Sequence, residues 1–171
     1  MTHVFIHEAA HAVAALDRHI PFNGVFIQDL AGWVRWNATG LMLGGVQISS
    51  DPAIWLLPDP VAALEFVLAG SAAESVVLGH ILEGSYVGDV EVWRRGMGET
   101  GRLSPSRLDE LAGGSFVKVG SRTKAWVEEN RARIRAVATA LGGGEQMGFG
   151  IQAVGAGPWR LTSGQVAAVA S

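Results

Sequence analysis

The feature that most constrains this chain is His7-Glu8-Ala9-Ala10-His11, an HExxH pattern set in an alanine-rich run. Ala9, Ala10, Ala12, Ala14 and Ala15 favour helix and keep it slim enough to be buried close to its neighbours. Thr2 is an acceptable N-cap and Pro21 forbids much continuation, so the helix is expected from Thr2 to about Arg18. Side chains four apart on a helix share one face, with Cβ atoms roughly 5–6 Å apart. Two imidazoles at that spacing can bind one tetrahedral Zn2+ through ring nitrogens. Glu8 follows the first histidine directly and stands beside such a metal without having to bind it. There it could take a proton from a water whose pKa the metal lowers to about 7. HExxH on a helix is the metalloprotease pattern; the plainer alternative is a helix with two solvated or core-satisfied histidines. His3 reads as a terminal, partly exposed histidine. His19, in the last turn where a cation suits the helix dipole, reads as a surface group.

Composition narrows the classes. A length of 171 residues suggests one domain, or one with a small appendage, and 49% hydrophobic residues can build a core. The net charge of -3 and the scattered Lys and Arg argue against a nucleic-acid partner. There is no cysteine, so any zinc must be held by His, Asp or Glu. The most apolar segment, Val61 to Leu82, carries Glu65 and Glu74, which a bilayer core would penalise; no membrane span is expected. Met1 to Leu16 lacks a basic start and contains Glu8 and three histidines, unlike a signal peptide. A soluble cytoplasmic protein is the expectation.

After Pro21 the period changes. Gly24 to Gln28 and Gly45 to Ser49 read as short strands, with Trp33 to Trp36 as a third. Together they predict a small sheet packed on the first helix, whose edge could hold an extended backbone by strand addition. Asp59-Pro60 then starts a strong helix with an acidic N-cap and Pro at N1, ending near Gly79. Glu74 lies inside it, and a carboxylate there needs an exposed edge or a partner. Glu83 to Asp89 reads as a glycine-rich loop and Val90 to Arg95 as a short helix. Asp89 at its start would be kept ionised by the dipole. The stretch from Gly96 to Gly114 reads as loose. Ser121 to Leu141 predicts one helix, with Trp126 on its apolar face and Arg131, Arg133 and Arg135 among solvated positions, ended by Gly142-Gly143-Gly144. Met147 to Val154 and Trp159 to Leu161 are expected to pair as strands around Gly155-Ala156-Gly157-Pro158. Trp126 and Trp159 read as core or an oligomer surface.

In order, these pieces resemble the peptidase domain of the FtsH-type ATP-dependent zinc proteases. That domain opens with a helix close to HEAGHA, matched by His7-Glu8-Ala9-Ala10-His11-Ala12. A proline, a short strand and a Gly- and Val-rich strand follow, as do Pro21, Gly24 to Ile27 and Gly44-Gly45-Val46 here. Its GGRAAEE-like helix end corresponds to Ala69-Gly70-Ser71-Ala72-Ala73-Glu74-Ser75. Its aspartate, the third zinc ligand, corresponds to Asp89 in Gly88-Asp89-Val90. Leu161 to Val166 looks like the family's late capped helix. The resemblance covers most of Thr2 to Val90 and is weaker beyond. Ala10 replaces a glycine of the family, Ser71 an arginine, and the segment after Arg95 differs. The ATPase module and membrane anchor that precede this domain in the family are absent from this sequence, which has no GxxxxGK[ST] phosphate loop.

The resemblance implies a mainly helical α+β, zincin-like domain over 1–171, with a zinc-site half (1–95) and a less regular remainder (96–171). It implies Zn2+ held by His7, His11 and Asp89, with Glu8 as general base, and hydrolysis of peptides or unfolded proteins. It also implies a homo-oligomeric ring, and the missing ATPase module makes a separate ATPase partner a further expectation. Glu74 is the rival third ligand, since other HExxH families take a glutamate from a second helix. With Asp89 as ligand, Glu74 becomes the acceptor that fixes a histidine tautomer. Asp17 is rejected: an extended motif needs a turn at glycine, this chain has Ala14 there, and a continuous helix carries Asp17 about 240° round from His11. His80 follows Gly79, past the expected helix end. The alternative function is a non-catalytic relative that binds or regulates; an intact Glu8 argues against it.

Overall fold

A computed structural model of the protein describes residues 3–27, 44–81, 85–143 and 159–171. Its first helix, α1 (His3–Asp17), is buried at every position from Phe5 to Ala15. An alanine-rich helix has no bulk to hold neighbours away, and elements pack round it on all sides. It stops in a Schellman arrangement: the Ile20 N–H donates to Ala15 O and the His19 N–H to Leu16 O. His19 takes the left-handed position at φ 54°, a place usually held by glycine, and it is exposed as expected.

Strands β1 (Phe22–Ile27) and β2 (Gly44–Ile48) pair antiparallel, close to where alternation and flanking glycines put them. A third strand, β3 (Trp159–Thr162), pairs antiparallel with the other side of β1, giving the order β2-β1-β3. The pairing of β3 with β1 was not foreseen, because it joins opposite ends of the chain. Gly24 permits it, since a Cβ there would stand 2.5 Å from Leu161 O. The Trp33 to Trp36 strand and the Met147 to Val154 partner lie outside the described residues.

Helix α2 (Pro52–Trp55), capped by Asp51, was missed by the sequence reading. Helix α3 (Pro60–Ala73) begins as expected, with the Asp59 carboxylate accepting from the Val61 and Ala62 N–H groups. It runs on through a π turn (Glu74–Leu78) and stops at Gly79, φ 82°. By length and hydropathy alone Pro60–Leu78 could cross a bilayer, but 67% of that span is buried inside the protein. Its acids have partners: Glu65 accepts from Arg18 and Arg122, and Glu74 is described below.

Helix α4 (Ser85–Gly96) corrects the sequence reading. Residues 85 to 89 are helical rather than loop, so Asp89 sits on the second turn and not at the helix start. Gly88 meets no obstacle in this helix, while Glu91 pairs with Arg94 and Arg95 along one face. Trp93 is its buried anchor, donating its indole N–H to Pro60 O at 2.9 Å. The stretch expected to be loose holds α5 (Pro105–Leu111), announced by the N-cap and N1 pair Ser104-Pro105.

The single helix expected from Ser121 to Leu141 is two, α6 (Phe116–Glu129) and α7 (Arg131–Ala138). They part at Asn130, whose side-chain amide donates to Trp126 O and competes with the helical ladder. A π turn, Thr139–Gly143, follows with Gly142 at φ 97°. Helix α8 (Ser163–Ala170) opens with a capping box between Thr162 and Gln165.

One hydrophobic cluster joins residues from Phe5 to Ala170, so residues before and after Gly96 share a core. Helix α1 packs on α3, on α7 and on the sheet. Asp17 accepts from the Trp126 indole at 3.0 Å and from Arg133 at 2.9 Å, so it serves packing. Arg133 also donates to Ala170 O and Arg131 to Val76 O. These two arginines tie elements together instead of facing only water.

Candidate metal centre

His7 and His11 project from α1 toward Asp89 of α4, and the three form a group that could hold a metal ion. The two Nε2 atoms are 3.0 Å apart. Asp89 Oδ2 is 3.1 Å from His7 Nε2 and 3.4 Å from His11 Nε2. The imidazoles are buried, while the Asp89 side chain keeps 30% of its surface exposed. The centre is therefore open on the α4 side.

The far nitrogens fix the rings. His11 Nδ1 is 2.7 Å from Phe66 O; a carbonyl only accepts, so Nδ1 is the donor and Nε2 is turned to the centre. His7 Nδ1 donates to Glu74 Oε1 at 2.8 Å, which turns its Nε2 to the centre in the same way. Histidine ligands are commonly oriented by such outer acceptors. Glu74 is almost wholly buried and also accepts from Ser85 Oγ at 3.1 Å, linking the start of α4 to α3. The sequence-based expectation of a partner for Glu74 is met, and its carboxylate lies on the side of His7 away from the ion site.

Burial alone would lower the pKa of His7, but its hydrogen bonds to Asp89 and Glu74 outweigh that and raise it to about 10. Asp89 is pushed up by burial, yet the imidazoles of His11 and His7 hold it well below the usual carboxylate range. It stays ionised because of the histidines, not a helix dipole. Burial raises the pKa of Glu8 against the pull of both histidines. A raised carboxylate is suited to taking a proton near neutral pH.

The space fits an ion. Ligand atoms about 2.1 Å from a tetrahedral centre stand about 3.4 Å apart, and the three separations lie close to that spacing. Two glycines, not singled out as site residues by the sequence reading, keep the room. A Cβ on Gly70 of α3 would lie 2.5 Å from His7 Nε2 and 2.6 Å from His11 Nε2. A Cβ on Gly44 of β2 would lie 2.9 Å from Glu8 Cγ. Both rings are buried and hydrogen-bonded at their far nitrogens, so a methyl at Gly70 would press on the two Nε2 atoms that face the ion position. Alanine also suits a helix interior better than glycine by about 0.5–1 kcal/mol. Gly70→Ala should therefore keep its helix but displace the buried rings, and lower the affinity for a divalent metal ion by about 10–100-fold, the size of an outer-partner loss. Titration against a competing chelator checks this; unchanged affinity would show that the methyl is accommodated.

The other nominated residues stand apart from this group. Asp17 is held by Arg133 and Trp126. His80 is exposed beyond Gly79, and His3 is half-buried at the start of α1. The Phe66 carbonyl could not be found from sequence, because any residue type supplies one. No protein-family model and no curated protein matches this chain.

Proposed function

We propose that this chain is a zinc-dependent endopeptidase of the FtsH peptidase type, acting on peptides or unfolded proteins. The observation that carries this reading is the convergence of His7, His11 and Asp89 with Glu8, the next residue on the same buried helix. Two nitrogens and one carboxylate oxygen form a zinc donor set that leaves a position open. Bound there, Zn2+ would supply Lewis acidity, activating a water and polarising the scissile carbonyl.

The chain's own groups supply the rest. Glu8 accepts the proton of the attacking water and passes it to the leaving amine. Glu74 and the Phe66 carbonyl hold the two imidazoles in the orientations that present Nε2. Gly70 keeps those nitrogens accessible. Beside Glu8, the start of β2 offers an edge with no strand partner among the described residues. An extended peptide could add there by backbone hydrogen bonds, which suits a chain already unfolded. These 171 residues hold no phosphate-binding loop, so by themselves they are expected to cut chains that are already unfolded.

The experiment compares an unstructured protein such as casein with a tightly folded one, with and without ATP and with and without a zinc chelator. Slow cutting of the first, none of the second, no ATP effect and full loss with chelator are expected. ATP-stimulated degradation of the folded substrate by the chain alone would contradict the substrate claim. Chelator-resistant cutting would contradict the metal claim.

A further inference from the structure

Two more histidines lie at one end of the buried centre. His3 opens α1, and His80 follows the glycine that stops the α3 segment. On α1 the step from His7 to His3 is about 6 Å along the axis. Neither residue belongs to the His7, His11 and Asp89 group. Their rings nevertheless pack edge to face, with the ring spacing and tilt of the histidine pair of that group. The His3 and His80 centroids are 4.4 Å apart with planes at 70°, and the His7 and His11 centroids 4.7 Å apart, also at 70°.

The hydrogen-bond pattern favours a ligand. His80 Nδ1 is 3.2 Å from Leu78 O; a carbonyl only accepts, so Nδ1 is the donor of that contact and Nε2 is left for another partner. This repeats the way Phe66 O orients His11. His3 Nδ1 is buried and has no hydrogen-bond partner among the described residues. Such atoms are uncommon, and an ion is one of the things that explains them. Burial, helped by His80 and His7 and opposed by Glu74, lowers the pKa of His3. Burial thus favours the neutral ring, the form that binds a metal.

We propose that His3 and His80 form a second metal site, taking a borderline divalent ion such as Zn2+ with water completing its coordination. Imidazole pairs suit ions of this class. Two ligands, one of them exposed, bind more weakly than the three of the first centre. This site is independent of the peptidase reading.

Zinc titration of the full chain, by calorimetry with a competing chelator, tests it. Wild type should bind two equivalents, the second at least tenfold weaker. His80→Ala, on an exposed residue, and His3→Gln should each remove the weaker equivalent and keep the tight one. The double change His7→Ala with His11→Ala should keep the weaker equivalent while losing the tight one. One equivalent only in wild type, or a second that persists at full affinity in both His80→Ala and His3→Gln, would overturn the proposal. Loss of the first centre and loss of the second are thus read from different variants.

Discussion

Glu8→Gln should leave the chain folded and able to hold zinc, while lowering hydrolysis of an unstructured protein by about 10²–10⁴-fold. The amide keeps the size of the side chain but cannot accept a proton. Glu8 is buried beside both histidines and closed over by Gly44, so the replacement fills the same space. Burial raises the pKa of the native carboxylate, which means that losing its charge does not remove a folding ion pair. Zinc content and thermal unfolding should match wild type. Equal activity in the two proteins would mean that hydrolysis comes from a contaminant or from a mechanism without this base.

The second large effect concerns the ligands. His7→Ala, His11→Ala and Asp89→Ala should each lose most bound zinc at the first centre, because each removes one of three contacts. Glu74→Gln should lose less, about 10–100-fold in affinity, since Glu74 orients His7 without touching the ion. Full zinc in Asp89→Ala together with loss in Glu74→Gln would reverse that assignment. Affinity should also rise with pH. His7, raised to about 10 by Asp89 and Glu74, carries an extra proton at neutral pH that an ion must displace. Below that pKa, each unit of pH should strengthen binding by about tenfold for the one proton lost. A flat affinity between pH 6 and 8 would contradict the hydrogen bonds drawn to His7.

What could be read from the sequence was what depends on local spacing. The histidine pair, its helix, the Asp59-Pro60 start of α3 and the positions of all three strands follow from period, caps and glycines. Glu74 was recognisable as a carboxylate in need of a partner, though only the fold shows that His7 meets it. Asp89 was reached by resemblance, and its local reading failed. Gly88 looks like a loop residue, but Trp93 anchors the segment on Pro60 O and Ser85 ties it to Glu74. Tertiary contacts overrode weak helix propensity there. The break at Asn130 was hidden by an apolar stripe that continues on both sides of it. The β3 pairing with β1 and the role of Gly70 depend on contacts between distant parts of the chain, which no local pattern encodes.

The central claim is that His7, His11 and Asp89 hold one zinc ion in the first centre. Zinc-edge X-ray absorption on protein loaded with a single equivalent measures this directly. It should show two imidazole nitrogens and carboxylate or water oxygen at about 2.0–2.2 Å, with one imidazole lost in His11→Ala and the carboxylate signature lost in Asp89→Ala. A spectrum with oxygen ligands only, or one unchanged by both substitutions, would contradict the account.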